Sequence, residues 1–238
     1  MTSNYCDRSL RSVAIVIAAA GRGERLGGEL PKALEQVAGV SLLEYCVHVI
    51  AGMRGLGAVV VAAPDGYLAD VEEICARLTK PGATVVAGGS TRTESVSNAL
   101  AVMPDGIDIV LVHDAARAFT PVEQFLDVIA AVEAGADAVI PGLAVVDTIK
   151  EVDASGSVLR TVPRDSLRGV QTPQGFRRET LDAVHRDENV DGATDDAGMI
   201  EASGGLVKVI PGHPDAFKVT TPFDRLIALA LVTSRSVQ

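Results

Sequence analysis

Six short apolar runs punctuate the chain: VAIVIAAA at 13–20, AVVVAA at 58–63, TVVAG at 84–88, DIVLVH at 108–113, DAVIPG at 137–142 and LVKVI at 206–210. Stretches of helical spacing separate them. A continuous apolar run is what a strand covered on both faces presents, and a helix between successive runs supplies the crossover that parallel strands need. The pattern predicts strand-helix-strand units and a largely parallel sheet. Helix starts carry chemical marks. Ser41 with Glu44 and Thr91 with Glu94 fit capping boxes, and Thr120-Pro121 and Thr221-Pro222 place a capping hydroxyl before a first-turn proline.

One segment breaks the rhythm. Residues 145–163, VVDTIKEVDASGSVLRTVP, alternate with period two on both sides of DASG, which predicts a β-hairpin with a glycine-containing turn, projecting as an arm. No linker, low-complexity tract or repeat divides residues 1–238, so the expectation is one domain.

Composition sharpens this. Of 238 residues 47% are hydrophobic but only 3% aromatic, so Ala, Val, Ile and Leu fill the core, as in short buried strands flanked by helices. A net charge of −10 argues against holding nucleic acid through counterion release. It leaves room for a small anion wherever a few basic side chains converge. Cys6, Cys46 and Cys75 lack metal-like spacing and read as buried thiols in a reducing compartment. The polar first residues show no signal peptide and no run is long enough to span a membrane, so the expected location is cytoplasmic, with no membrane partner.

Ligands of open α/β sheets bind beyond the carboxyl ends of the strands. There this chain carries GRGERLGGELPK, GGSTRTES, HDAAR, VDTIK, QTPQGF and KVTTP. The first loop is not a dinucleotide fingerprint: with Gly21 and Gly23 aligned, Leu26 stands where the third glycine belongs, and Gly27, Gly28 and Pro31 keep the chain irregular where a helix should start. Nor does a Gly-Lys-Ser/Thr close it as a P-loop. Two readings stand on residues alone: a loop whose backbone N–H groups surround phosphate oxygens, with Arg25 and Lys32 neutralising charge, or a solvated surface loop.

The motif AAAGRGERLG…PK resembles the opening signature of nucleotidyltransferases that join a nucleoside triphosphate to a phosphorylated sugar or polyol. GGSTRTESV, VHDAAR, DTIK, TPQGF, TDDAG and FKVTTPFD then follow in the order of one branch, the 2-C-methyl-D-erythritol 4-phosphate cytidylyltransferases of the non-mevalonate isoprenoid pathway. The resemblance runs from residue 13 to about 235. It implies a Rossmann-like, three-layer, mostly parallel α/β domain of the nucleotidyltransferase fold, with residues 145–165 as a β-arm exchanged in a homodimer. It further implies CTP and a polyol phosphate as substrates and Mg2+ carried mainly on the triphosphate, with Asp114 a candidate protein ligand.

By matching motif, Ala19, Ala20, Gly21, Gly23, Gly89 and Ser95 would meet CTP, and Arg25 and Lys32 the triphosphate. Asp114, Arg117, Thr172 and Lys218 would line the space for the second substrate, with Thr148 and Arg164 supplied by the partner's arm. Arg25, Lys32, Arg164 and Lys218 form the implied catalytic set. The attacking group would be a phosphate monoester, whose second pKa of about 6 leaves it mostly dianionic at neutral pH. No general base is then needed, and catalysis falls to positioning and charge stabilisation.

Each residue has a plainer reading. Asp114 could cap the next turn. Arg117 and Arg164 could be surface ion-pair partners, which add little stability. His113 reads as a packed strand-end histidine, and Lys218 as a lysine in an apolar-flanked strand whose head must find an anion or snorkel. Arg22 and Arg92 face the nucleotide side on spacing alone. Asp195 and Asp196 are either a two-carboxylate metal site or a helix N-terminus. Two positions depart from the family pattern: Ala118 stands where proline commonly follows HDAAR, and Asp196 where glutamate is usual. Ribitol-5-phosphate cytidylyltransferases share nearly all these motifs, and guanylyl- and uridylyltransferases share the opening loop. A noncatalytic nucleotide-binding module would be expected to lose Lys32 or Arg25, and both are present.

Overall fold

The computed structural model describes residues 10, 12–21, 23, 30–78, 82–187 and 193–236. Cys6, Arg22 and Arg25 lie outside the described residues. The six apolar runs become β1 (Val13–Ala18), β4 (Ala58–Ala63), β5 (Thr84–Ala87), β6 (Ile109–Asp114), β7 (Ala138–Ala144) and β12 (Val207–Pro211). A small ribbon, β2 (Gln36–Val37) with β3 (Val40–Ser41), precedes α1 (Leu42–Ala51). The other helices are α2 (Leu68–Leu78), α3 (Arg92–Ala101), α4 (Val122–Glu133), α5 (Arg178–Arg186), α6 (Asp196–Ala202) and α7 (Pro222–Ser236).

The sheet is mostly parallel: β1 pairs with β4 on one side and β6 on the other, β4 with β5, and β7 with β12, all in the same direction. Two strands that hydrophobic pattern alone does not announce, β10 (Arg168–Val170) and β11 (Gln174–Arg177), run antiparallel to β7 along its other edge. β11 also pairs with β6 and so joins the two parallel halves. QTPQGF is therefore partly strand rather than a loop. Its glycine hides the signal: a Cβ on Gly175 would meet Val128 Cγ1 at 2.4 Å, so the residue is there to let β11 pass beneath α4.

Strand alternation divides the core into two layers. Val13, Ile15 and Ile17 pack with Leu43, Val47 and Ile50 of α1, Val71 of α2 and Phe125 and Ile129 of α4. Ala14 and Val16 face Val96 and Ala99 of α3, Leu181 of α5 and Ile200 of α6. Each Val, Leu, Ile or Phe side chain among them fully withdrawn from water contributes about 1.5–3 kcal/mol. A third cluster, with Val37, Leu42, Phe119, Val219 and Ala228, seats α7 against the ribbon.

Helix starts follow the sequence in part. Ser41 and Glu44 form the complete reciprocal box, and Thr221 accepts from the Asp224 N–H. Thr91 accepts from the Glu94 N–H, but the Glu94 carboxylate turns to the Ser90 N–H and hydroxyl instead. Thr120 does not cap α4: its hydroxyl donates to the Arg117 carbonyl at 2.8 Å, because the prolyl residue behind α4 occupies the cap position. The hairpin stands off as β8 (Ile149–Val152) and β9 (Val158–Val162), paired with each other and with no other strand among the described residues. Cys46 and Cys75 are buried thiols, burial pushing both up, Cys75 to about 11.

Candidate active site

A cavity of about 1030 Å³ opens at the carboxyl ends of β1, β4, β5 and β6. Ala19, Ala20, Gly21 and Gly23 line it from the loop after β1, Gly89 and Ser95 from the turn into α3, and Lys32, Asp114 and Lys218 from three further segments. Residues spread over two hundred positions meet because every one follows the end of a strand or lies against it.

Two glycines allow the walls to close. A Cβ on Gly88 would stand 2.2 Å from Ala20 Cβ and 3.0 Å from the Ala63 carbonyl oxygen, which accepts the Gly88 N–H at 2.8 Å. Only glycine lets these loops touch. Gly23 has φ +74°, and a Cβ there would lie 2.8 Å from Lys32 Cβ. The Lys32 N–H donates to the Gly21 carbonyl at 3.2 Å, so the two ends of the glycine-rich loop are drawn together. Ser95 accepts the Gly89 N–H at 3.0 Å and donates to the Thr91 carbonyl at 2.8 Å. It shapes the wall that it lines.

The charged floor is built around Asp114, the last residue of β6. Its backbone N–H donates to Thr172 Oγ1 at 3.0 Å, and that hydroxyl faces His113 Nδ1 at 3.1 Å. The hydroxyl thus bridges the Asp114 backbone N–H and the imidazole, its role toward the ring following the histidine tautomer. Burial holds His113 at about 4, and its ring packs 4.8 Å from Phe125. This is the packed histidine that its strand position suggests.

The Asp114 carboxylate accepts from Arg92 Nε at 3.2 Å and from Lys218 Nζ at 2.7 Å. Burial alone would raise its pKa, but Arg92 and Lys218 outweigh burial and hold it below the usual carboxylate range. Lys218 does not sit in a strand, as its flanking residues suggest, but in an extended segment after a 3-10 turn. One hydrogen bond from the Val219 N–H to the Ala116 carbonyl, at 2.9 Å, lays that segment across the end of β6. Lys32 Nζ donates to Thr220 Oγ1 at 3.2 Å, so both lysines border the same opening. Thr220 was not singled out from sequence; its place between two lysine-bearing segments comes only from folding.

Other expected residues lie elsewhere. Thr172 is buried beneath Asp114 and does not line the cavity. Arg117 gives Nη1 to the Ala216 carbonyl at 2.7 Å and Nη2 to the Val170 carbonyl at 3.1 Å, stapling the segment before Lys218 to β10. Thr148 and Arg164 are exposed on the hairpin, Arg164 donating to the Val146 carbonyl, and neither lines the cavity of its own chain.

Asp195 is the N-cap of α6, accepting the Gly198 N–H at 2.9 Å, and Asp196 is buried in contact with Arg92 and His185. The pair marks a helix N-terminus, and among the described residues no group of three or more His, Cys, Asp or Glu is arranged to hold a metal. His185 went unnoticed in the sequence because nothing around it in α5 marks it out.

Comparison with known proteins identifies the family to which the chain belongs. The family model IspD, 2-C-methyl-D-erythritol 4-phosphate cytidylyltransferase, matches residues 13–234. The chain is 51% identical to a protein of that name from Saccharopolyspora erythraea over 225 residues, covering 93% of this chain and 99% of the relative. It is 49% identical to one from Frankia casuarinae, covering 92% and 81%. Among solved structures, a 4-diphosphocytidyl-2C-methyl-D-erythritol synthase from Anaerococcus prevotii superposes with a TM-score of 0.80 at 27% identity, covering 93% of this chain and 98% of that one. A 2-C-methyl-D-erythritol 4-phosphate cytidylyltransferase from Thermus thermophilus gives 0.73 at 34% identity, covering 91% and 97%.

Proposed function

Since this chain belongs to the 2-C-methyl-D-erythritol 4-phosphate cytidylyltransferase family, we propose that the cavity at the ends of β1, β5 and β6 is where its reaction takes place. The enzyme transfers CMP from CTP to 2-C-methyl-D-erythritol 4-phosphate, giving 4-diphosphocytidyl-2-C-methyl-D-erythritol and pyrophosphate, in isoprenoid precursor biosynthesis. What carries the placement is the meeting of Lys32, Asp114 and Lys218 around one opening beside the glycine-walled loops.

A phosphate oxygen of the polyol phosphate attacks the α-phosphorus of CTP. A new P–O bond forms, the bond to the α,β-bridging oxygen breaks, and pyrophosphate leaves with that oxygen. The nucleophile arrives already deprotonated, and no histidine among the described residues lines the cavity. The obstacle is charge: two anions approach and the transition state concentrates more at the α-phosphorus. Lys32, with Arg25 by its motif position, stabilises the triphosphate side. Lys218 receives the second phosphate, kept from being a bare cation in the resting state by Asp114. Ala19, Ala20, Gly21, Gly23 and Gly89 leave room for base and ribose, with Ser95 holding the Gly89 turn in place.

Mg2+ fits this donor set as an ion carried on substrate. It commonly binds through one or two carboxylates plus phosphates; Asp65 and Asp114 line the cavity, and since both Asp114 oxygens accept from Arg92 and Lys218, the ion would rest mainly on phosphate oxygens. When bound it neutralises charge on the triphosphate.

The hairpin supports a homodimer. β8 and β9 pair only with each other among the described residues, leaving Val146, Val152, Val158 and Leu159 exposed. Thr148 and Arg164 then serve the partner's cavity rather than their own. The buried thiols suit a cytoplasmic location, and no helix among the described residues is long and apolar enough to cross a membrane. Pyrophosphate release, measured for four nucleoside triphosphates against methylerythritol 4-phosphate and ribitol 5-phosphate, tests the reading. Turnover is expected with CTP and methylerythritol 4-phosphate; turnover confined to ribitol 5-phosphate would overturn it.

A further inference from the structure

Behind Asp114 lies a charged assembly that the transfer chemistry does not use directly. Arg92 opens α3 and Asp196 opens α6, on the same side of the sheet, and His185 sits in the last turn of α5. Arg92 Nη1 donates to Asp196 Oδ2 at 2.5 Å, while its Nε reaches Asp114 Oδ1 at 3.2 Å. The second Asp196 oxygen lies 2.9 Å from His185 Nε2, with both side chains almost wholly buried. Gln174 of β11 donates to Asp195 Oδ2 at 2.6 Å, tying the start of α6 to the sheet.

A buried ion pair is a poor source of stability, since well-packed apolar residues of similar volume usually do as well. Geometry gives this one another use. An arginine facing a single carboxylate tends to pair through two parallel N–H bonds. With Asp196 absent, Arg92 could turn both donors onto Asp114 and take the oxygen that now holds Lys218. Asp196 anchors the Nη1 branch at 2.5 Å and so fixes the guanidinium in a pose where only Nε meets Asp114, at Oδ1 and 3.2 Å, leaving Oδ2 for Lys218 at 2.7 Å. Arg92 itself lines the cavity, with Nε and Nη1 engaged by the two carboxylates and Nη2 buried without a hydrogen-bond partner.

We infer that Asp196, oriented by His185, is a positioning residue for cytidylyl transfer: it holds Arg92 so that Asp114 and Lys218 keep their arrangement at the second-substrate side. The inference rests on the function proposed above and adds to it a residue outside the cavity.

The test compares Asp196→Asn, Asp196→Glu and Arg92→Lys with the parent enzyme in steady-state transfer from CTP to methylerythritol 4-phosphate, with CTP affinity measured by calorimetry. In Asp196→Asn, kcat/KM for the polyol phosphate is expected to fall at least about tenfold, with CTP affinity within about twofold of the parent. Asp196→Glu, which restores the charge, is expected to recover most of the loss. Arg92→Lys keeps a cation but not the fork, and is expected to show the same loss as Asp196→Asn. Parental kcat/KM in a folded Asp196→Asn enzyme, or a parallel loss of CTP affinity, would overturn the inference. Should Asp196→Asn not fold, Arg92→Lys with parental kcat/KM overturns it instead. An inactive parent would overturn the functional reading itself, a result distinct from either.

Discussion

Lys218 Nζ donates to Asp114 Oδ2 at 2.7 Å across 104 positions of sequence. Asp114 is nearly buried and Lys218 is 41% exposed, so the pair delivers a cation from the floor of the cavity to its opening. Lys218→Met keeps the length of the side chain and removes the charge, leaving Asp114 to repel an incoming phosphate. It is expected to lower kcat/KM for the polyol phosphate by about 10²–10³. Steady-state kinetics beside a circular-dichroism melt checks this; a folded variant with parental kinetics would remove Lys218 from the site.

Lys32→Ala is expected to cost about 10²–10³ in turnover while the fold persists. The backbone contacts around Lys32, including the Gly21 bond at 3.2 Å, do not depend on its side chain. Single-turnover measurement with saturating CTP separates this effect from weaker binding. Turnover near that of the parent would rule out Lys32 as a stabiliser of the transition state.

Gly88→Ala places a methyl group against Ala20 Cβ and the Ala63 carbonyl, and neither is the end of a flexible side chain. The loops after β1 and β5 must part. CTP affinity is expected to fall at least about tenfold, while overpacking destabilises by about 1–3 kcal/mol. Calorimetry and urea unfolding on the same preparation report the two separately. Unchanged CTP affinity would mean that the contact of these loops does not shape the nucleotide side.

Stability should fall on mild acidification because of His113. In the unfolded chain it takes up a proton near its ordinary value of 6.5, whereas burial holds the folded group at about 4. Between those values the unfolded state binds more protons, so stability rises with pH. It is complete above 6.5 and is lost as pH falls toward 4, where the folded group also protonates. At about 1.4 kcal/mol per pKa unit the loss is about 3–4 kcal/mol. The depressed Asp114 carboxylate acts in the same direction but in a lower window, below the ordinary aspartate value of 3.8. Urea unfolding at pH 7.5, 5.5 and 4.5 should show the decline, and His113→Gln should flatten it; equal slopes in both proteins would assign it to other groups.

Deleting residues 147–163 is expected to give an inactive monomer, since the strands of that hairpin pair only with each other among the described residues and expose apolar side chains. Light scattering coupled to gel filtration and the transfer assay would show it. An active dimer lacking those residues would refute the exchanged arm.

Local chemistry made much of this molecule readable. The apolar runs place β1, β4, β5, β6, β7 and β12 within a residue or two of their observed bounds; for β1, β4, β6 and β7 the reason is that a strand covered on both faces must be apolar throughout. Ser41 and Glu44 announce α1 because a cap is a short-range bond. β10 and β11 escaped notice because Arg168, Gly169 and Gly175 carry no apolar run, and their pairing depends on β7 being alongside. Thr120 misled because a hydroxyl three residues beyond a carbonyl has two partners to choose from, and here the turn provides the nearer.

The cavity divides the same way. Motifs identify Lys32, Asp114 and Lys218 by residue type and order, and the family with them. Only folding shows that Thr172 lies beneath Asp114, that Arg117 is spent on two carbonyls and that Thr220 touches Lys32. The charge network from His185 through Asp196, Arg92 and Asp114 to Lys218 joins five segments that share no local pattern. Sequence order determines which residues are present and which helices and strands they favour, because those preferences act over a few bonds. Which charges share a carboxylate is decided by the sheet register and by two helices beginning side by side, distances that exist only once the chain has closed on itself.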